Sequence, residues 1–156
     1  MYGSIALLAP DRSVRFIRAG RRPARTLRDV LGSQVEYQVL SPGLTLWAAR
    51  ACDGPPNPLA TTLTTLLTGA VRPLTGPVAC TGPFTRQSGV TGLSSVAELD
   101  LRRWLDAIIA RPDAMAITEQ AGRVTSAWAT PDRTRLDRNC TSPQAGTLSG
   151  SEEARS

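Results

Sequence analysis

Residues 34–50, QVEYQVLSPGLTLWAAR, constrain the fold more tightly than any other stretch. From Gln34 to Leu40 apolar and polar residues alternate. Val35, Tyr37 and Val39 fall on one side and Gln34, Glu36 and Gln38 on the other, the period of a half-buried strand. Ser41-Pro42-Gly43 reads as a turn, and Leu44–Arg50 as the returning strand. A loop of those three residues sets Gln38 opposite Leu46 and Tyr37 opposite Trp47. That register predicts an aromatic cross-strand pair on one side of the hairpin. An apolar side of this kind needs a second layer to cover it.

The flanking sequence supplies candidates for that layer. Ile5–Ala9 ends at the turn sequence Pro10-Asp11-Arg12-Ser13 and resumes at Val14–Arg18, so residues 4–18 read as another hairpin. Pro23 suits the first turn of a helix running to Leu31, with Gly32 as its stop. Leu27, Val30 and Leu31 give it an apolar face. Asn57 can cap a second helix that has Pro58 at its first position. Leu59, Leu63, Leu66 and Leu67 predict its buried stripe, and Gly69 its end. Leu74 to Thr81 reads as a last strand, and Pro77 within it points to an edge position.

Past Gly82 the composition shifts to Gly, Thr, Ser and Pro, as in a linker. Ser95-Val-Ala-Glu98 has capping-box spacing and opens a helix to about Ala110, with Ala97, Leu101, Trp104, Leu105 and Ile108 as its apolar stripe. Glu98–Arg102, Arg102–Asp106 and Arg103–Asp106 are spaced for surface ion pairs. Arg111-Pro112 ends that helix, and Ala114–Thr118 with Val124–Trp128 reads as a closing hairpin. Beyond Ala129 the chain is rich in Arg, Asp, Ser, Thr and Gly, with little to bury. The expected architecture is α+β: a small antiparallel sheet with helices packed on one face, plus a C-terminal helix and hairpin. Its organisation is a core over residues 1–82, a linker over 83–94, an extension of the same domain over 95–129 and a disordered tail over 130–156.

Several chemistries lack their residues. There is no histidine among the 156 residues, which removes Ser-His and Cys-His pairs and the commonest metal ligand. Cys52, Cys80 and Cys140 are widely spaced, with no C-x-x-C pair, so neither a disulfide framework nor a zinc site is expected. Cys52 beside Asp53 reads as an ordinary thiol and Cys80 as core. No phosphate-cradling glycine loop occurs. The reading is of a protein without catalytic residues, cofactor or metal. With neither a signal peptide nor a membrane-length apolar run, it is expected to be cytoplasmic.

Charge is the remaining signal. All 18 basic residues are arginine, and the net charge is +5. Residues 1–82 hold nine arginines against four acids, so the excess lies in the first half. Arg12, Arg15, Arg18, Arg21, Arg22, Arg25 and Arg28 fall within seventeen residues that contain no acid. Guanidinium groups bind phosphates and carboxylates in bidentate fashion, so this stretch is the candidate site for nucleic acid or an acidic protein surface. Phe16 is the one aromatic inside it, which argues against a stacking platform for single strands and for backbone contact to a duplex. A small-ligand pocket near Asn57 and Arg50 is a further alternative.

Ala9-Pro10-Asp11 before Val14, Leu27 to Gly32, the Gln34–Val39 strand, Pro56-Asn57 with Leu59-Ala60, and Thr75-Gly76-Pro77-Val78 to Gly82 carry a resemblance. Over about residues 3–82 the chain resembles a family of small uncharacterised α+β domains carried on plasmids, phages and integrated elements of Gram-positive bacteria. The resemblance implies a compact α+β domain and a mobile-element origin, and the expected function is that of a non-enzymatic accessory protein acting by binding in plasmid transfer, spread or maintenance. It supplies no catalytic residue. Its motifs are structural, and residues 83–156 depart from it.

Overall fold

The computed structural model describes residues 3–50 and 54–116. Ser4–Leu8 (β1) and Val14–Arg18 (β2) form the first hairpin, and Val35–Ser41 (β3) and Leu44–Ala49 (β4) the second. Pro23–Leu31 (α1) connects them. Pro58–Thr68 (α2) follows, then Val78–Thr81 (β5), the short strands Phe84–Thr85 (β6) and Gly89–Val90 (β7), and Ser95–Ile109 (α3). The main sheet has the order β2-β1-β5-β4-β3, antiparallel throughout. This is an α+β fold.

Tyr37 stands opposite Trp47 and Gln38 opposite Leu46, the register expected from a three-residue loop. Both helix starts follow the proline rule, with Pro23 and Pro58 in the first turn. Asn57 caps α2 by accepting from the Ala60 N–H at 3.1 Å. Its amide also donates to the Leu8 carbonyl at 3.0 Å and the Gly76 carbonyl at 2.9 Å. Fully buried, it ties α2 to β1 and to the turn before β5. Gly69 ends α2 in the left-handed region at φ 72°.

Strand alternation divides the core between the two sides of the sheet. Ala6, Leu8, Leu46, Ala48, Val78 and Cys80 face α2 and α3, meeting Leu59 and Leu63 from the first and Leu101, Leu105 and Ile108 from the second. Each large apolar side chain, fully buried, contributes about 1.5–3 kcal/mol. Ile5, Trp47 and Ala79 point the other way and meet Leu27 and Leu31. The helices therefore occupy both sides of the sheet rather than one. The strands of the sheet interior carry apolar residues at successive positions, and such strands need cover on both sides.

Other expectations give way to non-local packing. The last strand starts at Val78, after Gly76 at φ 69° and Pro77, and it is central rather than at an edge. Pro77 lies just outside the ladder, so its missing N–H costs no hydrogen bond there. Residues 83–94 are not a bare linker. They carry the β6–β7 hairpin, and Leu93, 1% exposed, bridges back to Ser4. Gly82 N–H donates to Thr91 O at 3.0 Å and Leu93 N–H to Ser4 O at 2.7 Å. The cap of α3 is Ser94, not Ser95, accepting from Ala97 N–H at 3.2 Å. That leaves Glu98 free to bond the Ser4 hydroxyl and Arg102. Arg103 lies 3.9 Å from Asp100, and the expected pairs with Asp106 do not form among the described residues. Leu66 is exposed, so the stripe of α2 narrows to Leu59 and Leu63 with Leu67 partly covered. Residues 112–116 are helical, with Met115 buried, in place of the first strand of the closing hairpin. The rest of that hairpin, the tail over 130–156 and Cys52 lie outside the described residues.

Candidate nucleic-acid interface

The seven arginines from Arg12 to Arg28 are all exposed, but they do not share one side of the molecule. A spacing of three suits a helix, whereas strand side chains alternate with period two. On β2 the consequence is a split. Arg15 stands opposite Leu7, which packs on the α1 side. Arg18 stands opposite Ser4, whose hydroxyl bonds Glu98 of α3. On α1 the same spacing works the other way, and Arg25 and Arg28 share its outer face above the buried Leu27 and Leu31. Arg22 takes the N-cap position without a side-chain cap, and the first turn holds no acid. Arg12 sits in the β1–β2 turn at φ 68°, and its N–H donates to Ala9 O at 3.0 Å.

Outside that stretch the described arginines divide, with Arg50, Arg86 and Arg111 in no ion pair among the described residues and three others held by acids. Arg72 pairs with Glu36, Arg102 with Glu98 at 2.7 Å and Arg103 with Asp100. In the basic stretch, Arg12, Arg18, Arg22, Arg25 and Arg28 make no ion pair among the described residues. Asp11 is engaged locally: hydrogen bonds from the Ser13 side chain and backbone hold its carboxyl below the usual value, and Arg15 adds to the effect. Five of the guanidinium groups without an ion pair among the described residues therefore lie at α1 and on the β1–β2 hairpin. Unpaired positive charge of this kind attracts anions over about a Debye length.

A second feature shares the α1 side. Arg15, Leu7, Ala79, Trp47 and Tyr37 form one row across all five strands. At about 4.8 Å per strand the row spans about 19 Å, with an arginine at one end and a tyrosine at the other. Trp47 is 5% exposed, and its indole N–H donates to the Thr81 hydroxyl at 2.9 Å. Phe84 from β6 completes a triad. Its ring centroid lies 4.8 Å from Tyr37 and 5.2 Å from Trp47, and Tyr37 lies 5.2 Å from Trp47. Tyr37 is 53% exposed. The β6–β7 hairpin touches the triad through Phe84 and α1 through β7, joining the aromatic and basic elements. The Tyr37–Trp47 pair is legible in the sequence. The arrival of Phe84 is not, since it depends on β5 entering the middle of the sheet.

The remaining candidates separate. A cleft of about 190 Å³ is lined by Arg50, Arg72, Glu36 and Leu74, among others, but not by Asn57, whose side chain is spent on three structural hydrogen bonds. Cys80 is fully buried, and burial pushes its thiol up to about 12, so it packs as a small apolar side chain. Among the described residues no group of three or more His, Cys, Asp or Glu is placed to hold a metal ion, and no helix is long and apolar enough to cross a membrane. No family model, curated protein or solved structure matches the chain.

Proposed function

We propose that this chain is a non-enzymatic binding protein that holds the phosphate backbone of nucleic acid, as an accessory protein of a mobile element of plasmid or phage type. The observation that carries the reading is the contrast among its arginines. Arg72, between α2 and β5, and Arg102 and Arg103 on α3 are paired with acids, while Arg22, Arg25 and Arg28 cluster at one helix, exposed and without an ion pair among the described residues. Guanidinium forks suit phosphates, and phosphate contacts position a protein without reading sequence. The resemblance over residues 3–82 supports the mobile-element setting.

The test is a binding titration of a labelled duplex at several salt concentrations, with wild type and an Arg22→Gln/Arg25→Gln/Arg28→Gln variant. Each lost phosphate contact is expected to lower the log–log salt slope by about one unit. Equal slopes would place the contacts elsewhere. No binding at low salt to the duplex or to a single strand of equal length would end the nucleic-acid reading and leave an acidic protein surface as the partner for the same arginines.

A further inference from the structure

Tyr37 is an unusual place to leave an aromatic ring. It stands on the edge strand β3, close to Val39, which is 54% exposed, and half its own surface meets solvent. Yet the ring is not loose. Trp47 backs it with a 39° tilt and Phe84 braces it at 58°. Trp47 is itself fixed by the bond to Thr81. A ring already immobilised loses little entropy when a flat partner settles on it. The hairpin that braces it also touches the helix bearing Arg22, Arg25 and Arg28, and Arg86 lies in that hairpin's turn. Acids on these elements are few: Asp29 on α1 is the one described, while Glu36 on β3 is taken up by Arg72.

We propose that this surface binds single-stranded nucleic acid, with an unpaired base stacked on Tyr37 and the adjoining phosphates held by Arg22, Arg25, Arg28 and Arg86. The inference rests on the nucleic-acid reading above and specifies its substrate class. A duplex keeps its bases stacked on one another and cannot use the ring, whereas a single strand offers both a base face and a backbone. Aromatic platforms flanked by positive charge recognise strands in this way and tolerate any sequence, because every base has a π-face. The arginine stretch itself contains only Phe16, which faces α3 under Arg102, its ring centroid 3.7 Å from the guanidinium carbon. The platform comes instead from β3, β4 and β6.

The experiment measures fluorescence anisotropy of a labelled oligothymidylate and of a labelled duplex of equal length, with the full chain at fixed low salt. Wild type is expected to bind the single strand about tenfold more tightly than the duplex, the scale of one stacked base. Tyr37→Ala should lose about that factor for the single strand and leave duplex affinity unchanged, and Tyr37→Phe should bind as wild type. Tyr37→Leu keeps an apolar cover over Trp47 without a π-face, so it should behave like Tyr37→Ala even if the alanine variant folds poorly. Equal affinity for both probes, with Tyr37→Leu unchanged, would overturn the stacking inference and leave backbone binding standing. Failure of wild type to bind either probe would overturn the nucleic-acid reading itself.

Discussion

Ser4 and Glu98 stand 94 positions apart, and the hydroxyl of the first donates to the carboxylate of the second. Arg102 approaches the same carboxylate from the next turn of α3, with Nη2 at 2.7 Å and Nε at 3.2 Å. Its guanidinium also covers the Phe16 ring on β2. One acid therefore fastens α3 to both strands of the first hairpin.

This arrangement predicts a pH dependence with a definite sign. The Ser4 hydrogen bond, then those from Arg102, hold the Glu98 carboxyl below its ordinary value of 4.5. A group depressed in the folded state stabilises fully above its unfolded value and loses that contribution as pH falls through the folded one. The stabilisation should thus be complete at pH 7 and fade below about pH 4.5. Glu98 is only partly covered, so its share is modest, about 1 kcal/mol. Urea denaturation of Glu98→Gln should show that loss at pH 7 and a narrowing gap to wild type toward pH 3. A gap constant with pH would mean that the charge of Glu98 is immaterial.

Trp47 supports a different prediction. Its ring meets Leu27 and Leu31, and its indole N–H is satisfied only by Thr81 among the described residues. Trp47→Ala should cost about 3–5 kcal/mol. Trp47→Phe keeps much of the apolar cover but leaves the Thr81 hydroxyl without that donor, and should cost less. Chemical denaturation of both variants checks the order, and equal losses would show that the hydrogen bond carries most of the effect.

Three glycines mark a crossing where backbone touches backbone. A Cβ on Gly92 would stand 2.7 Å from the Gly3 Cα, one on Gly3 2.4 Å from the Leu93 carbonyl oxygen, and one on Gly82 2.4 Å from that of Gly92. Gly92→Ala must push main chains apart and should destabilise by about 1–3 kcal/mol. A methyl group on Gly43, in the β3–β4 turn, would meet nothing within 4 Å, so Gly43→Ala serves as the contrast. Its change should be neutral or slightly stabilising, because alanine restricts the unfolded chain. Matching thermal midpoints for the two variants would contradict the close crossing.

What the sequence reveals follows the range of the forces involved. The register of Tyr37 with Trp47, the cap at Asn57 and the stop at Gly69 depend on residues a few positions away, and each is readable. Pro77 misleads because it stands one residue before β5, where the rule against proline in central strands no longer applies. The side of the sheet that α1 covers depends on how a crossover packs, which no local pattern records. For the candidate site, the arginine spacing is visible, but whether it makes one patch or two depends on where strand gives way to helix. Arg15 and Arg18 part company for that reason, while Arg25 and Arg28 stay together. Phe84 sits in a stretch of linker-like composition, with no periodicity to mark it as the third ring.

The strand order has a consequence for the way the protein comes off a ribosome. β5 is made last of the five and sits in the centre, between two hairpins that each close locally. Until residues 78–81 have emerged, β1 and β4 lack their inner partners, so four strand edges stand open instead of two. Unpaired edges are the surfaces on which nascent chains misassociate. Closing that seam joins residues thirty or more positions apart along the chain, a slow kind of contact to form. The growing chain therefore exposes most strand edge while its own keystone is still inside the exit tunnel.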